Sequence, residues 1–167
     1  MSEQKTLILV RHAKSSWKDT SLNDIQRPLN KRGSKDAPKT GKYLSEQKIL
    51  PEVIFSSPGL RALTTARLLS VELGMKPSEI KVNDKMYTFN SEELLNVIKS
   101  LKDKYERVMI VGHNPAITDL TNYLSGSRIN NVPTCGVVVL KFSIDTWKKV
   151  SKGKAKLSSF DYPKKLW

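Results

Sequence analysis

Two histidines and a single cysteine are all that this 167-residue chain offers of those residue types. The lone Cys135 excludes an internal disulfide and suits a reducing compartment. With so few histidines and no Asp/Glu/His motif at ligand spacing, neither a metal cluster nor a cofactor is expected. No apolar run approaches the length of a membrane span. Met1–Lys5 lacks the basic-then-apolar pattern of a secretory leader, so a cytoplasmic protein is expected. Acidic residues are also scarce: 16 Asp and Glu stand against 29 Lys and Arg, a net charge of +13. That excess raises anionic partners. The basic residues are spread along the chain, however. The densest run, Lys148, Lys149, Lys152, Lys154 and Lys156, lacks the interleaved aromatics of a single-strand-binding platform. A nucleic-acid partner is therefore disfavoured against a lysine-rich solvated surface.

What is present is an alternation of strands and helices of one-domain length. Thr6–Val10 and Val108–Val111 are β-branched apolar runs, the pattern of buried parallel strands. Glu52–Phe55 is a third, Ile80–Val82 a short edge strand, and Gly136–Leu140 a further strand preceded by Cys135 as buried filler. Helices are expected from about Asn30 to Gln47, with a kink or start at Pro38. Others follow after Ser57-Pro58 to Leu73, from a Ser91 cap to about Lys104, and after Asn114-Pro115 to Leu124. This order specifies a three-layer α/β/α sandwich with a mostly parallel sheet. The core spans about 6–142, followed by a basic C-terminal tail, 143–167.

Each histidine follows one of the buried runs, His12 after Arg11 and His113 after Gly112. Open α/β sheets bind ligands beyond the carboxyl ends of such strands. The third strand end adds Ser56, Ser57 and, in the following helical turn, Arg61. Two arginines, two histidines and two helix N-termini converge on a pocket for a dianion, with phosphate the natural candidate.

These residues resemble those of a known family. Leu9-Val10-Arg11-His12-Ala13, Ser56-Ser57-Pro58 with Arg61-Ala62 and Thr65-Ala66, and Val111-Gly112-His113-Asn114-Pro115 look like the three signature elements of the histidine phosphatase (phosphoglycerate mutase-like) superfamily. Arg27-Pro28-Leu29 with Arg32-Gly33, Lys14–Trp17 and Met86-Tyr87 are similar to its short SixA-type phosphohistidine phosphatases. The resemblance implies a phosphoglycerate mutase-like fold. It implies His12 as the nucleophile and Arg11, Arg61 and His113 as holders of the phosphoryl oxygens. Arg27, Lys14, Ser15, Trp17, Tyr87 and Asn114 are further candidates for binding phosphate or substrate. Ala13 stands where the signature has glycine, which argues against a left-handed backbone there.

Many relatives use a carboxylate between the second arginine and the second histidine as general acid. Asp84, Glu92 and Glu93 lie in that interval, and Asp19 and Asp24 follow His12; the sequence does not choose among them. Only 51 residues separate Arg61 from His113, too few for a large cap beside the expected helices and strands. An open site favours a phosphorylated protein, with phosphohistidine the expected substrate and inorganic phosphate the product. A monomer is expected. The alternatives are a broad phosphomonoesterase for sugar or nucleotide phosphates and a non-catalytic phosphate-binding or phosphoprotein-binding domain.

Overall fold

A computed structural model describes residues 4–167. Six strands form one sheet: β1 (Lys5–Arg11), β2 (Val53–Ser56), β3 (Lys81–Val82), β4 (Arg107–Gly112), β5 (Val137–Phe142) and β6 (Ala155–Asp161), in the order β3-β2-β4-β1-β5-β6. The pairs β3–β2, β2–β4 and β4–β1 are parallel, whereas β5 runs antiparallel to both neighbours. The helices are α1 (Lys31–Glu46), α2 (Leu60–Glu72), α3 (Ser91–Lys99), α4 (Ala116–Ser125) and α5 (Pro163–Leu166).

Side-chain alternation along the strands divides the core. Ile8, Val10, Ile54 and Met109 pack with Leu44 of α1 and Ala62, Ala66 and Leu69 of α2. Leu7, Leu9, Val108 and Ile110 face the other way, onto Leu94 and Ile98 of α3 and Ile117 and Leu120 of α4. Strands with both faces covered explain why β1 and β4 read as unbroken apolar runs. The expected three-layer sandwich is thus observed.

Several boundaries differ from expectation. Helix α3 is capped by Asn90, whose Oδ1 accepts from Glu92 N and Glu93 N, not by Ser91. It ends at Lys99, short of the expected Lys104, and Asp103 beyond it accepts from the Trp147 backbone N and the Thr146 hydroxyl. Pro38 lies inside a continuous α1 rather than at its start. The segment 143–167 is no simple tail: β6 extends the sheet and the short α5 follows it.

Candidate active site

The register sets the site. Arg11 pairs with Gly112 and Ser56 with Val111, so the carboxyl ends of β1, β2 and β4 finish level. His12, Ser57 and His113 are the next residues in each strand's direction. His12 and His113 line a cavity of about 250 Å³ together with Arg11, Arg27 and Arg61.

His12 is buried, and its Nδ1 lies 2.7 Å from the Ala13 carbonyl. A carbonyl only accepts, so Nδ1 carries the ring proton and Nε2 keeps its lone pair. Arg61 Nε donates to that Nε2 at 3.3 Å. Burial, opposed by the Ala13 bond and reinforced by the charges of Arg61, Arg11 and Arg27, pulls the imidazole pKa down to about 4. At neutral pH His12 is therefore an unprotonated base. The Ala13 backbone is not left-handed. Its N–H donates to Thr65 Oγ1, and that hydroxyl donates to the Arg61 carbonyl, tying the His12 loop to the first turn of α2.

His113 is buried 5.4 Å, centroid to centroid, from the His12 ring. Its Nε2 lies 2.7 Å from Ser57 Oγ, while its Nδ1 is buried without a partner among the described residues. Burial first, then the neighbouring His12 and Arg61 outweighing the carboxylate of Asp24, pushes its pKa down to about 3. The Ser57 hydroxyl, engaged by His113 and by the Gly59 N–H, does not cap α2; Gly59 occupies that position. A Cβ at Gly59 would come within 3.0 Å of His113 Cε1, so glycine is what lets helix and ring approach.

Asn114 likewise is not the residue adjoining α4. Pro115 is, and Asn114 Oδ1 accepts from the Thr118 N–H and hydroxyl one turn on.

The long loop after His12 folds back on itself. Ser15 bridges to Leu29, and Asn30 N donates to Lys14 O at 2.9 Å. A Cβ at Gly33 would lie 2.2 Å from that same oxygen, which accounts for the Arg32-Gly33 motif. This folding brings Asp24 and Arg27 over the pocket. Arg27 stacks 3.4 Å above the Trp17 ring and donates to Ser15 Oγ and Asp24 Oδ1.

Arg11, Arg27, Arg61, His12, His113, Lys14, Ser15, Trp17 and Asn114 all line the cavity. Tyr87 stands just behind, its ring 5.4 Å from that of His113 and its hydroxyl donating to Asp24 Oδ2. Of the five candidate acids only Asp24 lines the pocket. Asp19 is fully exposed and bound to Ser21. Glu92 and Glu93 sit on the exposed first turn of α3, where Glu92 lines a separate hollow with Leu120 and Tyr123. Asp84 is exposed, on a 3-10 turn (Asp84–Met86), and is also outside the pocket. Thr134 and the half-exposed Phe89, whose ring is 5.7 Å from His113, join the wall although the sequence does not single them out. Only the adjacency of Phe89 to Met86-Tyr87 signals it.

Asp24 is bound from three sides. Partial burial opposes its ionisation, but hydrogen bonds from Tyr87 and Arg61, the Arg61 charge and the bond from Arg27 outweigh it, drawing its pKa to about 2. It is a carboxylate at any physiological pH.

The profile of the histidine phosphatase superfamily (branch 1) matches residues 7–86. An uncharacterised chloroplastic protein of Arabidopsis thaliana is 32% identical over 156 residues, which cover 89% of this chain and 71% of that relative. The crystal structure of a SixA protein from Agrobacterium tumefaciens superposes with a TM-score of 0.81 at 26% identity, covering 95% of this chain and 98% of that one. A protein histidine phosphatase SixA complexed with tungstate shares the fold, with a TM-score of 0.82 at 19% identity over 97% of this chain and 99% of that one. The likeness runs through sequence and architecture alike, and the chain belongs to the histidine phosphatase superfamily, among its SixA-like members.

Proposed function

We propose that this phosphatase removes the phosphoryl group from phosphohistidine in proteins, through a covalent intermediate on His12. His12 Nε2 attacks phosphorus in line, and the bond to the substrate's imidazole nitrogen breaks. Water then attacks the phosphorylated His12, releasing inorganic phosphate. The Nδ1 proton held against Ala13 stays in place throughout, so His12 departs as neutral imidazole. Arg11, Arg61, Arg27 and His113 surround the space where the phosphoryl oxygens would lie. A structural relative binds tungstate, a tetrahedral oxyanion, which fits an anion in such a cradle.

The observation that carries the substrate reading is the state of Asp24. Among the described residues it is the only carboxylate lining the pocket, and it is held ionised by Arg61 and Tyr87. An alcohol leaving group needs a proton at its oxygen. A phosphoimidazole protonated on its far nitrogen needs none, since it leaves as neutral imidazole. The exposed Trp17 and Phe89 at the mouth suit a protein surface better than a small enclosed acid. A monomer in a cytoplasmic setting is the accompanying expectation, and the latter suits the single buried Cys135.

The test compares kcat/KM for a phosphohistidine peptide and a sugar phosphate, both with EDTA present. The expected result is a clear preference for the peptide, undiminished by chelator. A higher value for the sugar phosphate points instead to a general phosphomonoesterase, and loss of activity with EDTA refutes charge neutralisation by side chains alone.

A further inference from the structure

A second cavity, of about 290 Å³, adjoins the catalytic pocket and shares Arg11, Lys14 and Thr134 with it. Its other walls include Arg32, Pro133, Tyr162 and Lys164, and no carboxylate among the described residues lines it. Lys14 and Lys164 are exposed, and neither has an ion-pair partner among the described residues. Arg32 is half exposed and leans on Asp36 through Nε alone, at 3.4 Å. Arg11, the wall common to both cavities, donates from Nη1 to Val132 O and keeps a buried Nε without a partner among the described residues. Four cations thus surround a hollow with little to neutralise them, beside a site for a phosphoryl group.

The C-terminal segment builds this hollow. Strand β6 runs alongside β5 and ends at Asp161, so Tyr162 and Lys164 arrive next to the carboxyl end of β1.

We infer that this annex receives an acidic stretch of the phosphoprotein immediately to one side of its phosphohistidine. The inference rests on the phosphoprotein reading of the catalytic pocket and adds which proteins fit it. Phosphohistidine fills the first cavity, and Asp or Glu side chains beside it reach Lys14, Arg32 and Lys164. Tyr162 and Pro133 offer flat apolar contact for the intervening backbone. The net charge of +13 favours encounter with an acidic substrate.

The experiment uses the full chain and three synthetic phosphohistidine peptides: one with neutral flanks, one with three Glu on the N-terminal side, one with three Glu on the C-terminal side. p-Nitrophenyl phosphate hydrolysis is followed in parallel, and a small bisphosphate is tested as an inhibitor. One acidic peptide is expected to exceed the neutral one about five- to tenfold in kcat/KM, mostly through KM, as suits a few exposed ion pairs. The gain should shrink in about 0.5 M salt. Lys164→Glu should bring that peptide down to the level of the neutral one, leaving p-nitrophenyl phosphate turnover unchanged. Arg32→Gln should act in the same direction; because it also strips Asp36 of its cation, Lys164→Glu is the decisive variant. Equal rates for all three peptides, or a preference that Lys164→Glu leaves intact, overturns the annex while the phosphohistidine reading stands. So does a small bisphosphate whose binding depends on Lys164 when no acidic peptide is preferred. Hydrolysis of p-nitrophenyl phosphate with no turnover of any phosphohistidine peptide removes the underlying reading, and the annex with it.

Discussion

Arg61 and Asp24 clasp each other over the mouth of the pocket. The guanidinium donates from Nη2 to the carboxylate at 2.9 Å and from Nη1 to the Asp24 backbone carbonyl at 2.7 Å, which leaves Nε directed at His12. The pair has opposite consequences for a bound dianion. It holds Arg61 in place before substrate arrives, and it sets a negative charge beside the phosphoryl site.

Asp24→Asn keeps an acceptor for Arg61 but removes that charge. Vanadate should then bind about tenfold more tightly, a modest gain because the carboxylate is partly solvated. Calorimetric titration with vanadate measures it. Weaker binding by the variant would mean that holding Arg61 is the dominant role of Asp24.

Arg61 itself is almost completely buried, on the first turn of α2. Arg61→Ala should weaken vanadate binding by about 2–3 kcal/mol, roughly 30- to 150-fold, the cost of losing charge-assisted contacts to an anion. Arg61→Lys should recover only part of this, because an ammonium cannot offer the planar fork. A variant that binds vanadate as tightly as the parent would remove Arg61 from the oxyanion cradle.

His12→Ala should abolish turnover and leave the fold intact. Acid quenching of the parent during turnover of a labelled substrate should trap an acid-labile phosphoryl group that the variant lacks. Substantial turnover by His12→Ala would exclude His12 as nucleophile.

Most of this arrangement is legible in the sequence for a simple reason. Strands β1 and β4 are covered on both faces, so they stand out as unbroken apolar runs, and the residues just past them must lie at the ligand end of the sheet. Arg11, His12 and His113 are found that way, and Arg61 from the helix start that follows the shorter apolar run of β2. Nothing in the sequence prefers Asp24 over Asp19, Asp84, Glu92 or Glu93, because its position depends on the Ser15–Leu29 bridge that folds its loop back, and that contact leaves no periodic trace. Strand β6 is hidden for another reason. It is an edge strand with one well-buried residue, Ala155, and a register shift between Val139 and Leu140 of its partner breaks the alternation that would reveal it. Its lysines and serines therefore read as a tail, and the basic annex that this segment builds is invisible with it.

The two buried histidines also set the response of the empty enzyme to acid. Burial and neighbouring cations hold His12 near 4 and His113 near 3, whereas an unfolded histidine titrates near 6.5. Between those values the unfolded chain binds protons that the folded chain refuses. Stability therefore falls as pH drops below about 6.5, by up to about 1.4 kcal/mol per pH unit for each histidine, until each folded pKa is passed. Asp24, whose carboxyl is depressed to about 2, adds to the loss only below about pH 4. Urea titrations at pH 7, 6 and 5 should show this decline in the parent, a shallower one in His113→Gln, and the shallowest in His12→Gln/His113→Gln. Saturating phosphate should flatten the parent's curve as well, because a bound anion restores the proton affinity of both rings. A parent and double variant that lose stability in parallel from pH 7 to 5 would show that neither histidine is held neutral by the fold.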